Sequence, residues 1–108
     1  MLSLKALISK ILTSLSGLIT IASYTQSGLS YSTWYGTTSF NVSKAGYTPI
    51  ALVSVSLNQA ALHCYYWGVT ASSNTAIVGV GRHTSGSAIA SLTITINVLY
   101  IRSDFVTA

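Results

Sequence analysis

The chain has 108 residues, half of them hydrophobic and only 6% charged, with a formal net charge of +4, whereas an ordinary soluble domain carries about 25% charged residues. That length fits one domain, and high hydrophobicity with few charges excludes intrinsic disorder. The single acidic residue, Asp104, excludes mechanisms that need two carboxylates on one chain, such as the common glycosidase pair, and acidic metal clusters with them.

The first predicted element is a helix. Leu4, Ile8, Ile11, Leu15 and Leu18 recur at spacings of four, three, four and three, the a/d pattern of a coiled coil over two heptads. Leu7 and Leu12 widen the stripe, and Gly17 is the first helix-stopping residue. An isolated helix this short is marginal in water, so the seam needs a cover. Identical copies are the simplest cover, which makes residues 1–17 an expected oligomerisation helix; packing on the chain's own β-domain is the alternative. A signal peptide fits poorly, because Lys10 interrupts the apolar stretch after Lys5, and Thr13, Ser14, Ser16 and Gly17 dilute the remainder of the segment. No run approaches the roughly 18 apolar residues of a membrane-spanning helix, so membrane insertion is not expected.

From residue 18 the period becomes alternating, and β-branched residues, Tyr and Trp take over. In Ile89–Ile101, Leu92, Ile94, Ile96, Val98 and Tyr100 share one face, with Ser91, Thr93, Thr95 and Asn97 opposite. Tyr47–Leu57 is predicted to turn Ala51, Val53, Val55 and Leu57 inward and Ser54 and Ser56 outward, after a turn at Lys44, Ala45 and Gly46. Further strands are expected at Ile19–Tyr24, Ser30–Tyr35, Thr38–Val42, Ala61–Val69 and Thr75–His83. Breaks are expected at Gln26–Gly28, Asn58–Ala60, Ala71–Asn74 and Thr84–Ser87. Six or seven such strands with regular turns predict a mainly β fold, an antiparallel β-sandwich or jelly-roll over residues 18–108, preceded by the helix. Gly79 and Gly81, on one face of their strand, leave a groove that another backbone or a bulky aromatic can approach closely.

No catalytic constellation stands out. In a chain so rich in serine some Ser, His, Asp combination is inevitable, there is no Gly-x-Ser-x-Gly elbow, and Asp104 beside Arg102 reads as a surface ion pair; no enzymatic activity and no cofactor are expected. His63 and Cys64, adjacent on a strand, point to opposite faces and cannot share a metal, so no metal site is predicted; a threefold axis gathering three copies of one histidine is the only route to one. Lys5, Lys10, Lys44, Arg82 and Arg102 are scattered, where nucleic-acid binding needs a clustered basic patch. Cys64, the sole cysteine, cannot form an intrachain disulfide, which is compatible with maturation in a reducing cytoplasm.

The aromatic runs carry more information. Trp34 and Tyr35, and Tyr65, Tyr66 and Trp67, alternate faces along their strands, so some point away from the core. Outward aromatics beside Asn, Ser and Thr make a sugar-binding platform; filling a subunit interface is the competing role.

The segment Met1-Leu2-Ser3-Leu4-Lys5-Ala6-Leu7-Ile8-Ser9-Lys10-Ile11-Leu12 is similar to the amino-terminal part of small tail-fibre and receptor-binding proteins in phages and prophages of Gram-positive bacteria. Ala45-Gly46-Tyr47-Thr48-Pro49-Ile50-Ala51-Leu52-Val53 and Leu92-Thr93-Ile94-Thr95-Ile96-Asn97-Val98-Leu99-Tyr100-Ile101-Arg102 resemble their carboxy-terminal β-domain. The Trp-, Arg- and Lys-rich segment that many such proteins carry in between is represented only by Ser32-Thr33-Trp34-Tyr35-Gly36. The resemblance implies a homotrimer assembled in a bacterial cytoplasm and carried on the virion, with other virion proteins as partners. It implies a non-enzymatic attachment module whose β-domain meets host cell-surface glycan. A purely structural decoration or connector that binds another virion protein is the alternative.

Overall fold

The computed structural model describes residues 3–83 and 86–106. Met1 and Leu2 of the expected helix, Thr84 and Ser85 of the expected break, and Thr107 and Ala108 of the expected β-domain lie outside the described residues. The elements are helix α1 (Leu4–Leu15), strands β1 (Ile19–Tyr31), β2 (Tyr35–Asn41), β3 (Tyr47–Leu57), β4 (Leu62–Thr70), β5 (Thr75–Arg82) and β6 (Ile89–Arg102), and a final turn of helix, α2 (Ser103–Val106). The fold is mainly β, with two three-stranded antiparallel sheets ordered β1-β6-β3 and β2-β5-β4. Every connection crosses between the sheets except β4 to β5, which turns through a 3-10 segment at Ala71–Ser73 and a left-handed Asn74.

The core lies between the sheets and is built on the two central strands. Leu92, Ile94, Ile96, Val98 and Tyr100 of β6 are fully buried against Ala76, Val78 and Val80 of β5, with Phe40, Val42 and Leu62 completing the cluster. The strict alternation of β6 has that outcome because a period of two sends every second side chain to one face. Its other face is hydroxylated as expected: Ser23 bonds Asn97, Asn97 Nδ2 donates to Ser54 Oγ at 2.8 Å, and Thr25 pairs with Thr95 at 3.1 Å. Tyr100 bridges the sheets, donating its hydroxyl to Val42 O at 2.6 Å while bonding the Tyr24 hydroxyl.

Three strands depart from the sequence pattern. In β4, a register shift between Cys64 and Tyr66 puts Tyr65 and Tyr66 on the same face, beside Gly81 and over Gly79, where strict alternation would separate them. Gln26–Gly28 does not break the chain; a register shift between Gln26 and Leu29, with Gly28 at φ +67°, lets β1 continue to Tyr31, so Ser30 and Tyr31 close β1 rather than open a new strand. In β3, shifts between Pro49 and Ala51 and between Leu52 and Ser54 extrude Ile50 and Val53. The inward residues are therefore Leu52, Val55 and Leu57, while Ala51 and Val53 are exposed. Each bulge inserts one residue and exchanges the faces of all later positions in the strand.

Tyr31 closes one end of the core by laying its ring on Gly36 and bonding its hydroxyl to the buried Thr38. A Cβ on Gly36 would overlap the Tyr31 ring, so the ring would have to leave Thr38. Gly36→Ala is expected to cost about 1–3 kcal/mol, a fall in Tm of several degrees by calorimetry for a domain this size. An unchanged Tm would show that the ring has room to move.

The helix stands clear of the sheets. Ser3 caps it, accepting from Ala6 N at 3.1 Å, and Gly17 at φ +68° ends it. Arg102 secures its far end: Nη2 and Nη1 donate to Ser14 O and Ser16 O at 2.7 and 2.9 Å, and Nε to Asp104 Oδ1 at 2.8 Å. Tyr47 Oη donates to Gly17 O at 2.7 Å. These bonds fasten α1 to the ends of β3 and β6 as an extension of the domain. The particle accordingly measures 71 × 25 × 20 Å with a radius of gyration of 18.9 Å, against about 13 Å for a compact chain of this length.

Candidate functional site

β1 leads away from the helix, so its end, the Ser32–Trp34 turn, the start of β4 and the end of β5 all lie at the tip remote from α1. Gln59 and Asn58 brace this tip: Gln59 Nε2 donates to Ala90 O at 2.8 Å, and Asn58 Oδ1 accepts from Thr93 N at 2.9 Å. A cleft of about 510 Å³ opens there, lined by Trp34, Tyr35, His63, Tyr65, Arg82 and His83.

Register assembles it. Gly81 of β5 sits opposite Tyr35 of β2 and His63 of β4. With no side chain at Gly81, Tyr35 Cβ and Tyr65 Cε1 both come to 3.2 Å from where a Cβ would be. Trp34 and Tyr35 meet edge-on at 5.1 Å, His63 stacks on His83 at 4.2 Å, and His63 meets Tyr65 edge-on at 6.5 Å. Arg82 is tied in by its backbone N–H to Trp34 O at 3.0 Å and by Nε and Nη2 to Ser87 O and Ala88 O at 3.0 and 3.2 Å. Among the described residues one buried side-chain polar atom lacks a hydrogen-bond partner, His63 Nδ1, and it belongs to this cleft. An orphaned polar atom costs about 1–3 kcal/mol. Burial, reinforced by Tyr66, pushes the Tyr65 phenol above its ordinary range, so it remains a neutral donor and acceptor at pH 7.

Of the five aromatics singled out in the sequence, the fold thus brings together Trp34, Tyr35 and Tyr65. Tyr66 instead lies across Gly79, its ring filling the space a Cβ would take, and reaches Thr37 Oγ1 at 3.1 Å. The groove expected over Gly79 and Gly81 is thus occupied by aromatic rings of the chain itself. Trp67, half-exposed, lines a separate cleft of about 280 Å³ between the sheet edges with Leu52, Val53, Ser54, Val55 and Cys64. Cys64 faces the core and His63 the outer cleft, the opposite orientations that alternation requires. Burial raises the Cys64 thiol, which donates to Tyr66 O at 3.3 Å and stays protonated near neutral pH. Arg82, His63 and His83 carry no local signal that marks them as members of this site; cross-strand pairing to Gly81 is what gathers them.

The seam residues Leu4, Ile8, Ile11 and Leu15 are exposed by 73, 48, 49 and 43%, and no helix residue is buried. Packing of α1 on its own domain, the alternative open at the sequence level, does not occur. Leu18 lies past the helix end, half-buried, with its carbonyl accepting from Arg102 N at 2.8 Å. The adjoining end of the β1-β6-β3 sheet is apolar too: Ile19 and Ile21 are 59 and 55% exposed on its outer face. Among the described residues no group of three or more His, Cys, Asp or Glu could hold a metal, and no helix is long and apolar enough to cross a membrane.

An elongated two-sheet module with an apolar stalk at one end and an aromatic cleft at the other is the class these features define. No protein-family model matches the chain, and no characterised protein or solved structure matches it either.

Proposed function

We propose that the chain is a homotrimeric attachment module of a phage virion, assembled in the host cytoplasm. Its helix joins the copies, and its jelly-roll-like β-domain presents the Trp34 cleft to host surface glycan without making or breaking a bond. The observation that carries this reading is the polarity of the molecule: the cleft lies at the end of the 71 Å body remote from the exposed seam. A site meant to reach a cell belongs at the free end of a stalk.

Trimerisation is supported by the seam's composition. Its spacing puts Ile8 at an a position and Ile11 at the following d position, and Ile at both favours trimers or tetramers over dimers. Sedimentation of the intact chain is expected to give a trimer; a monomer would end the proposal.

For the cleft, a glycan array with the assembled protein is expected to yield a discrete set of hits. Trp34→Ala should remove them, because the apolar face of a pyranose packs on the indole ring and loses that surface with it. Trp67→Ala should leave them in place, since Trp67 lines the other cleft. A flat array would favour the connector reading instead, in which the apolar end of the sheet around Ile19 and Ile21 docks a neighbouring virion protein.

A further inference from the structure

We propose that the outer face of the β1-β6-β3 sheet is a contact between copies of this chain, so that the trimer is held by sheet as well as by helix and carries its tip clefts on the outside. This rests on the trimer reading above and adds to it the surface that the copies share.

Register lays out the face. Ile19 of β1 stands beside Ile101 of β6, and the next outward row is Ile21, Leu99 and Ala51. Ile19, Ile21 and Ala51 are exposed, with Leu99 and Ile101 partly exposed between the flanking strands. The row beyond is polar but closed on itself: Ser23 Oγ donates to Asn97 Oδ1, and Asn97 Nδ2 donates to Ser54 Oγ at 2.8 Å. Thr25 and Thr95 pair in the following row at 3.1 Å. Burying a polar group is costly chiefly when its hydrogen bonds are left unmade, so these rows give up water at little cost. Among the described residues no outward position of the three strands carries a charge. Arg102, at the end of β6, is turned to Asp104 and to the helix carbonyls. β1 is moreover an edge strand of 13 residues without Lys, Arg, Asp, Glu or Pro, and its register shifts lie beyond Gln26. Charges and prolines are common protection for an edge that stays open to other chains.

Two observations name a second copy as the occupant. Helix α1 has 12 residues, about 18 Å at 1.5 Å per residue, and so short a seam is little contact for an assembly, where a stable interface takes about 800 Å² from each partner. The β-domain has to supply the remainder. Only Ser16, Gly17 and Leu18 separate α1 from β1, and Arg102 and Tyr47 hold the helix end to β6 and β3. Packed helices lie about 8–10 Å apart and packed sheets about 10 Å. Copies joined along α1 therefore begin their β1 strands at the spacing at which sheet faces meet, and the apolar run continues across the junction from Leu15 through Leu18 to Ile19 and Ile21. Tyr35 and His63 of the tip cleft belong to the other sheet and stay open. Several clefts on one particle raise its avidity for a repeating surface polymer.

The test uses the full chain. In sedimentation through a dilution series, Ile19→Asp with Ile21→Asp should dissociate at a concentration about ten-fold or more above that of the parent, with its β signal in far-UV circular dichroism retained. Ser39→Asp, on the outer face of the other sheet, should behave as the parent. A second measurement places no charge on the face: maleimide labelling at Ile21→Cys and at Ser39→Cys, above the background from Cys64. In the trimer the first should label far more slowly than the second, and with Ile8→Asp and Ile11→Asp added the two should label alike. Equal labelling within a trimer would show the sheet face open to a neighbouring virion protein, overturning this proposal and leaving the helix-joined trimer standing. Dissociation unchanged by Ile19→Asp with Ile21→Asp would overturn it too. A monomeric parent would sink both readings.

Discussion

Replacing both Ile8 and Ile11 by Asp is expected to reduce the sedimenting particle to a single chain of 11.4 kDa. In one chain these side chains are about half exposed. In the proposed trimer, covering each by neighbouring copies would contribute about 1.5–3 kcal/mol per side chain at full burial, repeated in three copies. A carboxylate forced into that seam would cost more than the lost contacts, since it would be desolvated without a partner. The N-terminal helix should melt together with the assembly, because twelve residues without tertiary cover do not hold a helix. Far-UV circular dichroism should therefore lose its helical component and keep its β component. Unchanged mass would mean that the copies associate through another surface, and Ile19→Asp with Ile21→Asp would then be the informative pair.

Tyr100→Phe is expected to destabilise the β-domain by about 1–3 kcal/mol at neutral pH, because it removes the bond to Val42 O and leaves a carbonyl without its donor. That is a large part of a domain stability of about 5–15 kcal/mol. The effect should also depend on pH in a defined direction. Burial first, then the Tyr24 hydroxyl, hold the Tyr100 phenol well above its ordinary value of 10.0. Above about pH 10 the unfolded chain loses this proton while the folded chain keeps it. The folded state then binds more protons, and stability falls with rising pH by up to about 1.4 kcal/mol per unit. Below pH 10 that contribution is fully present. Tyr100→Phe should lack this part of the alkaline decline, so the difference between the two Tm curves should narrow above pH 10. Parallel curves would show that Tyr100 ionises as easily in the fold as out of it.

Much of the architecture is legible in the sequence because it depends on local periodicity. β6 can be read residue by residue, as its alternation from Leu92 to Tyr100 is unbroken and its outer face is hydroxylated throughout. The helix is legible for the same reason, at its own period. β3 is not: Ile50 and Val53 are apolar residues that the pattern assigns to the strand without a sign of which ones bulge, so alternation alone puts Ala51 and Val53 on the wrong face. In β1, Gly28 carries the same signal whether it ends a strand or relieves a bulge. The site is half legible. Trp34, Tyr35, Tyr65, Tyr66 and Trp67 stand out as aromatics of which some must face outward, but nothing local tells which, or shows that a shift in β4 sends Tyr65 and Tyr66 the same way with the Tyr66 ring committed to Gly79.

Composition and period by themselves determined a mainly β chain with a short apolar helix, because both depend on side chains only a few residues apart. Tertiary structure alone decided that the helix stands free and that Arg82, His63 and His83 converge with Trp34 at the opposite tip. Those outcomes rest on strand register and on a clamp from Arg102 to Ser14 and Ser16, contacts between residues far apart in the chain, whose pairing is set by how two sheets close over one core.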